Sequence, residues 1–302
     1  MVSWHIEPTS KCVLECPLCD RTVFYERFKK RELHEINIKD IVNFLGKNAQ
    51  VTMCGNNGDP IYHSEFFQLC EKLKEQDAVI HICTNASGKN KTWWSNLVKI
   101  LDHKDKITFA VDGLEDTNHV YRKNAKWHTI IDAMKICAES PIQTVWKFII
   151  FKHNQHQIDT AKEYSIELGI DEFQLEKSDR WLGNTDLMPD DKFVDQRYTY
   201  KKDVVDDKKV NAKIDPVCMK DEKPQNQLYI DSAGNFYPCC WQGVYGYRHN
   251  DIFDPRKNKF HIKDFTADTI LEHPEVKQFF SKIFDYEKVN KCCKIYCGVK
   301  NG

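Results

Sequence analysis

Residues 79–101 read VIHICTNASGKNKTWWSNLVKIL and contain one complete copy of the pattern that decides the fold. The stretch begins with Val79–Thr84, an apolar and largely β-branched run that is typical of a buried strand. After a polar turn, apolar residues follow at the i, i+3, i+4, i+7 spacing of one helix face: Trp94, Leu97, Val98 and Leu101. The stretch therefore predicts a strand followed by an amphipathic helix.

The same unit recurs along the first 180 residues. Further apolar runs occupy Val2–Ile6, Val51–Cys54, Ile107–Val111, Val145–Phe151 and Phe173–Leu175. Segments with helical spacing lie between them, and strands that alternate with helices predict a parallel sheet. Because no glycine-rich nucleotide-binding motif follows the first strand, the pattern favours an α/β fold that is a partial (β/α)6 TIM-type barrel over a Rossmann sheet.

The composition limits the class of protein. Hydrophobic residues make up 41% of the 302 residues and charged residues 29%, which is typical of a globular chain. The formal net charge is -1, which argues against nucleic acid as the partner. No apolar run approaches the ~20 residues that a bilayer span needs, and the N-terminus lacks a secretory signal pattern. We therefore expect a cytoplasmic protein without membrane attachment.

Thirteen cysteines are the most informative feature of the composition. Disulfides are rare in reducing cytosol, and an odd number cannot pair completely within one chain, so grouped cysteines favour metal or cluster binding. One group lies near the start of the chain and a second lies in the last third. Four cysteines outside these groups are expected to be small buried hydrophobes of the core: Cys54, Cys70, Cys83 and Cys137.

The loop after the first strand contains the spacing Cys12-x3-Cys16-x2-Cys19. Three thiolates leave one coordination position open, which suits a [4Fe–4S] cluster whose fourth iron takes another ligand. Taken alone, the triplet also fits a zinc site completed by His5 or His34. Its position at the C-terminal end of a barrel strand, where barrel enzymes carry out their chemistry, favours the cluster.

This cysteine motif resembles the signature of the radical S-adenosylmethionine (SAM) enzymes. The resemblance implies that a cluster at the motif binds SAM and cleaves it reductively to a 5′-deoxyadenosyl radical, which abstracts hydrogen from a substrate. It also implies contacts to SAM after the next strands, at Asn57, Gly58, Asp59, Pro60, Asn85, Asp112 and Arg122. The chain departs from the family pattern at Asn57 and Asp59, which replace a glycine and a glutamate, and at Leu18, which replaces an aromatic residue.

The last third of the chain is expected to hold a second site. Gln227–Tyr237 alternates around a glycine-containing turn and predicts a β-hairpin, and an amphipathic helical segment follows it. This part resembles the twitch form of the SPASM auxiliary-cluster module, which implies a second [4Fe–4S] cluster held by Cys218, Cys239, Cys293 and Cys297. Cys292 is the alternative to Cys293, Cys240 is expected to point away, and zinc is the other metal that four thiolates satisfy.

The expected organisation is a partial barrel over residues 1–180, a linker over 181–215 and a hairpin-plus-helix cluster domain over 216–302. No general acid or base is assigned from the sequence. Three carboxylates near strand ends are in position to face a substrate, with surface carboxylates as the other interpretation: Glu7, Glu176 and Asp179.

Three functions are compatible with these features. The first is an oxidoreductase that removes hydrogen from a small molecule while the auxiliary cluster accepts an electron, as the resemblance to twitch-type dehydrogenases implies. The second is modification of a peptide or protein side chain, although only a short segment precedes Cys12 and leaves no room there for a peptide-recognition domain. The third is a non-catalytic electron-transfer module. The resemblance implies a low-potential electron donor, such as flavodoxin or ferredoxin, as a partner of an enzyme.

Overall fold

The fold was analysed in a computed structural model, which describes residues 2–23, 33–178, 186–195, 201, 203–204, 212–245, 252–254 and 257–300. Six parallel strands follow one another in one sheet: β1 (Ser3–Ile6), β2 (Gln50–Met53), β3 (Val79–Thr84), β4 (Lys106–Ala110), β5 (Gln143–Ile149) and β6 (Glu172–Glu176). Each strand pairs in parallel with the next. The prediction of an α/β fold with a partial TIM-type barrel is confirmed.

Helices connect these strands: α1 (Ile38–Leu45), α2 (Phe66–Lys74), α3 (Lys91–Leu97), α4 (Asn118–Tyr121), α5 (Trp127–Ala138) and α6 (Ile158–Glu167). All except the short α4 lie at segments with the predicted helical spacing. Side-chain caps define some of their starts. Asn37 accepts a hydrogen bond from the backbone of Lys39 at the start of α1, and Asn90 accepts one from Trp93 at the start of α3.

The two faces of the sheet differ in chemistry because successive strand residues point to opposite sides. One face packs against the helices and is fully buried and apolar; Trp4, Ile82 and Trp146 belong to it. The alternate residues form a more polar face: His5, Glu7, Thr52, Cys54, His81, Cys83 and Thr108. The inside of the partial barrel is therefore lined largely by groups that can bind or react.

The predicted hairpin is present as β10 (Leu228–Ile230) and β11 (Phe236–Tyr237), with Gly234 at φ 85° in the turn. Its first strand pairs in parallel with β1, so the hairpin extends the barrel sheet to eight strands. This placement differs from a hairpin that belongs only to a separate domain. The physical reason is burial, because Leu228 and Ile230 lose all contact with solvent beside β1.

The remaining described elements lie in the C-terminal third. They are β7 (Ala212–Ile214), β8 (Met219–Lys220), β9 (Lys223–Pro224), α7 (Cys240–Tyr245), α8 (Ala267–Glu272), α9 (Pro274–Phe280), α10 (Lys291–Cys297) and β12 (Gly298–Lys300). β12 pairs antiparallel with β7, and β8 pairs with β9. Within the described ranges, no helix has the length and apolar character that crossing a membrane requires.

Candidate active site

A cavity of about 210 Å³ lies at the C-terminal ends of the barrel strands. Its lining brings together most of the residues singled out in the sequence: Cys12, Cys16, Cys19, Asn57, Gly58, Asp59, Asn85 and Arg122. Pro60 and Asp112 do not line the cavity. Pro60 begins a buried helical turn, and Asp112 contacts Arg122 from behind. The loops after three neighbouring strands therefore meet around one space.

The three-cysteine loop is positioned by backbone and side-chain contacts. The Leu14 amide donates a hydrogen bond to the Cys12 sulfur at 3.4 Å, and the Asn85 side-chain amide donates to the same sulfur at 3.5 Å. The Cys19 amide donates to the Cys16 carbonyl at 3.0 Å. These contacts fold the loop so that all three cysteines line one cavity.

The chemistry of the three thiols fits an iron–sulfur cluster. Burial raises the pKa of each, that of Cys12 to about 12, so a bound cation is needed to stabilise three thiolates together. Within the described parts of the chain, no three His, Cys, Asp or Glu side chains converge closely enough to hold a single metal ion. A cluster distributes its cysteines over different iron atoms, and neither His5 nor His34 lines the cavity to complete a zinc site.

Glu7 organises the loop after β2. Its side chain is fully buried and accepts hydrogen bonds from the backbone amides of Asn57 at 2.5 Å and Gly58 at 2.7 Å. The Tyr229 hydroxyl, on β10, donates to the other oxygen at 2.6 Å. Burial raises the pKa of Glu7 to about 7 in spite of these three donors. Glu7 thus holds the loop after β2 in place. Both of its carboxylate oxygens accept hydrogen bonds from the protein.

The same loop requires glycine because two backbone segments approach closely. A Cβ atom on Gly58 would lie 2.0 Å from the Thr9 carbonyl oxygen, and one on Gly55 would lie 1.9 Å from the Gly58 carbonyl oxygen. Neither position has room for a side chain. The loop after β2 therefore packs directly on the loop that leads to the three cysteines.

Asp59 connects the loops after β2 and β3. Its buried carboxylate accepts hydrogen bonds from the Thr84 hydroxyl at 3.0 Å, from the Asn85 amide at 2.7 Å and from the Asn85 side chain. Burial raises the pKa of Asp59 to about 6. Because the carboxylate is used within the protein, the groups that this segment leaves for a ligand are mainly in its backbone.

Arg21 and Arg122 both line the cavity, and Arg122 is paired with a buried carboxylate. Its Nε lies 2.6 Å from a carboxylate oxygen of Asp112, which is fully buried and also accepts a hydrogen bond from the Ile149 amide. The nearby charges of Asp112 and Cys16 raise the pKa of Arg122 although burial opposes them. Arg122 is therefore held in place, charged, beside the three-cysteine loop.

A second group of cysteines lines an enclosed pocket: Cys218, Cys239, Cys292, Cys293 and Cys297. All five are buried, and burial raises the pKa of Cys218 to about 12. Asn290 caps α10 by accepting from the Cys293 amide at 2.9 Å, which fixes the helix that carries the last three. Cys240 does not line this pocket, and its sulfur contacts the His5 ring instead. Both Cys292 and Cys293 line it, so the preference for Cys293 stays a prediction.

The prediction for the four scattered cysteines is half wrong. Cys70 and Cys137 are fully buried in the core, as expected. Cys54 and Cys83 are only half-buried and line the cavity with the three-cysteine loop, because they lie on the polar face of the sheet. Of the carboxylate candidates, Glu176 forms an ion pair with Lys147 at 3.2 Å. Asp179 lies outside the described residues.

Comparisons with known proteins agree with this arrangement. The family model described as the Radical SAM superfamily matches residues 6–163. Native anSMEcpe with bound AdoMet and the Cp18Cys peptide is similar at 14% identity, with a TM-score of 0.62 over 97% of this chain and 88% of that chain. Streptococcus suis SuiB bound to the precursor peptide SuiA is similar at 16% identity, with a TM-score of 0.60 over 97% and 70% of the two chains. At these identities the similarity establishes the fold.

Proposed function

Because the chain belongs to the radical SAM superfamily, we propose that Cys12, Cys16 and Cys19 bind a [4Fe–4S] cluster beside a SAM molecule in the cavity. The observation that carries this proposal is the convergence of the three thiols with the loops after β2 and β3 on one space of about 210 Å³. When bound, the cluster and SAM supply a 5′-deoxyadenosyl radical that abstracts hydrogen from the substrate.

The surrounding residues would orient SAM. The segment 57–59 lines the cavity, and Glu7 fixes it by accepting from the Asn57 and Gly58 amides. The Asp59 amide donates to the Lys11 carbonyl, so we propose that carbonyl oxygens of the segment accept from the amino group of SAM. Arg122 provides the positive charge that a carboxylate of SAM requires, and Asp112 holds the guanidinium in place. The side chain of Asn85 lines the same space between them. Asn57, Gly58, Asp59, Asn85 and Arg122 are thus proposed contacts, whereas Pro60 and Asp112 would support them from outside the cavity.

We also propose that the C-terminal pocket holds a second [4Fe–4S] cluster, with Cys218, Cys239, Cys293 and Cys297 as ligands. Buried thiols with raised pKa values need a cation in order to ionise, as at the first site. Zinc, which four thiolates also satisfy, is the alternative occupant of this pocket. A second cluster would give the enzyme an electron carrier apart from the SAM site, supplied by a low-potential donor.

The substrate that we propose is the side chain of a peptide. The structures of anSMEcpe and SuiB named above contain bound peptides, and this chain is similar to each over 97% of its length. The small-molecule oxidation expected from the sequence is the alternative.

Deuterium transfer tests the reaction and the substrate class together. Anaerobic protein with reconstituted clusters, SAM and dithionite is incubated with a perdeuterated peptide pool or with a perdeuterated small-metabolite pool. We expect deuterium in 5′-deoxyadenosine from the peptide pool only, and none with Cys16→Ala. Deuterium transfer from the metabolite pool only would show that the substrate is a small molecule and not a peptide. Absence of 5′-deoxyadenosine from both reactions would contradict the proposed enzyme.

A further inference from the structure

Two thiols that belong to neither cysteine site lie side by side at the cavity. β2 and β3 pair in parallel with Met53 opposite Ile82, so the next residues, Cys54 and Cys83, face each other across the two strands. Both line the cavity that contains the three-cysteine loop, and both are half-buried. Cys70, by contrast, is fully buried among apolar side chains. The pair therefore lines the cavity in which we propose that SAM binds.

The surroundings of the pair are polar rather than apolar. The Cys83 sulfur lies 3.5 Å from His81 Nε2, and that nitrogen lies 2.8 Å from the Thr108 hydroxyl. On the other side, His5 Nε2 contacts the Cys54 carbonyl oxygen at 2.8 Å. Packing alone does not require two thiols to be flanked by two imidazoles inside a polar barrel wall.

Each of the two thiols also shifts the pKa of the other. A hydrogen bond between them lowers the pKa of Cys54 and raises that of Cys83. Cys83 therefore keeps its S–H and donates it toward a Cys54 sulfur with thiolate character. Both residues line the cavity, and the two pKa directions favour Cys83 as the thiol of the pair that keeps its S–H.

An S–H bond is weaker than the C–H bonds of most substrates, so a carbon radical that reaches a thiol takes its hydrogen atom. We propose that Cys83, supported by Cys54, is the hydrogen-atom donor to the carbon radical that forms in the cavity. This inference rests on the proposed function and adds the fate of the radical. The substrate then leaves with its hydrogen replaced rather than oxidised, which changes its stereochemistry or its connectivity.

The step balances in atoms and electrons. The Cys83 S–H bond breaks, a C–H bond forms on the substrate radical, and a Cys83 thiyl radical remains. The thiyl radical bonds to the neighbouring Cys54 thiolate as a disulfide radical anion. One electron from the low-potential one-electron donor of the enzyme, together with one proton, restores one thiol and one thiolate. His81 is the nearest imidazole to Cys83 and the natural route for that proton.

SAM alone can test whether Cys83 donates a hydrogen atom, so no substrate needs to be known. In D₂O the thiols exchange to S–D, so with SAM and dithionite alone the wild type should form monodeuterated 5′-deoxyadenosine. Cys54→Ser/Cys83→Ser should lower the deuterated fraction at least ~5-fold, whereas Cys137→Ala, a buried cysteine of α5, should leave it unchanged. An unchanged fraction in the double variant, or an absence of deuterium in the wild type, would overturn the proposal. If the wild type forms no 5′-deoxyadenosine at all, the proposed function itself fails.

A second measurement tests the reactivity of the Cys54 thiol without any catalytic turnover. In the full chain before cluster loading, iodoacetamide should label Cys54 at neutral pH at least ~10-fold faster than Cys70 and Cys137. Of the three, only Cys54 is half-buried rather than buried, and only its pKa is lowered. Equal labelling rates would show that the pair does not face the cavity and would overturn the donor role. If the double variant fails to fold, Cys83→Ser alone keeps the Cys54 sulfur and should show the same loss of deuterium.

Discussion

The two cysteine sites differ in how the chain builds them. Cys12, Cys16 and Cys19 lie in one short loop, and they line a cavity that the loops after other strands leave open. The cysteines of the C-terminal pocket come from separate segments that meet only in the folded chain, and the pocket is closed by side chains such as Trp241 and Tyr296, whose rings stack 4.3 Å apart. An open site suits ligand chemistry, whereas a closed one suits electron storage or structural support.

The largest expected effect is the loss of one iron–sulfur cluster in each of two variants, at a different site in each. Reconstituted wild-type protein should contain about eight irons per chain, as two four-iron clusters require. Cys16→Ala and Cys239→Ala should each contain about four, because each removes a ligand of a different cluster. Iron analysis and Mössbauer spectroscopy measure this, with Cys137→Ala as the matched control because Cys137 is buried outside both sites. Zinc in the Cys16→Ala protein would instead assign a structural zinc ion to the second site.

The sites should also differ in their effect on stability. The second site joins Cys218, Cys239 and α10, so losing its metal frees several segments, while the first site lies within one loop. Cys239→Ala should therefore lower the Tm of the reconstituted protein by about 5 °C more than Cys16→Ala does. Thermal unfolding followed by circular dichroism measures the difference. Equal shifts would mean that the C-terminal segments are held together without the metal.

The buried ion pair beside the first site should be strongly coupled. Asp112→Asn leaves the Arg122 guanidinium without its buried partner, which should cost about 3–5 kcal/mol in the free energy of unfolding. It should also weaken SAM binding, because Arg122 loses its fixed position. The double variant Asp112→Asn/Arg122→Gln should lose much less stability than the sum of the single variants. Additive losses in chemical denaturation would show that the two side chains act independently.

The smallest effect is the pH dependence that Glu7 contributes. Its pKa is raised from 4.5 to about 7, so the folded state binds this proton more tightly than the unfolded state does. The resulting stabilisation is complete below pH 4.5 and is lost as the pH rises through 7. Glu7→Gln removes this pH-dependent contribution. The free energy of unfolding of the variant, relative to that of the wild type, should therefore rise with pH by at most ~3 kcal/mol.

Chemical denaturation at about pH 5 and pH 8 would measure the change. Glu275→Gln is a matched control, because Glu275 is an exposed carboxylate with a lowered pKa. A constant difference between wild type and Glu7→Gln across this range would mean that Glu7 is ionised at both pH values.

The parallel strands and their helices could be predicted because their patterns are local. Val79–Thr84 is a strand with the predicted bounds, and the first cysteine spacing is recognisable within one loop. The pairing of β10 with β1 could not be predicted, since parallel pairing between distant segments leaves no short-range pattern. It carries Tyr229 to Glu7 and so connects the C-terminal hairpin with the loop after β2.

The sequence also did not predict that the scattered cysteines lie in two different environments. Cys70 and Cys83 each follow an apolar residue in the sequence. Only the folded chain shows that Cys70, on α2, is buried in the core and that Cys83, on β3, lines the cavity. Asp59 and Asp112 were predicted as SAM contacts by position. Their carboxylates are occupied by Asn85 and Arg122, which becomes visible only when the loops of different strands come together.

Reductive cleavage of SAM tests most directly whether SAM chemistry belongs to the open site and not to the closed one. Reconstituted wild type, Cys16→Ala and Cys239→Ala are incubated anaerobically with SAM and dithionite, and 5′-deoxyadenosine is quantified. We expect release by the wild type and by Cys239→Ala, and none by Cys16→Ala. Release by Cys16→Ala, or none by the wild type, would contradict the assignment of SAM chemistry to the loop of Cys12, Cys16 and Cys19.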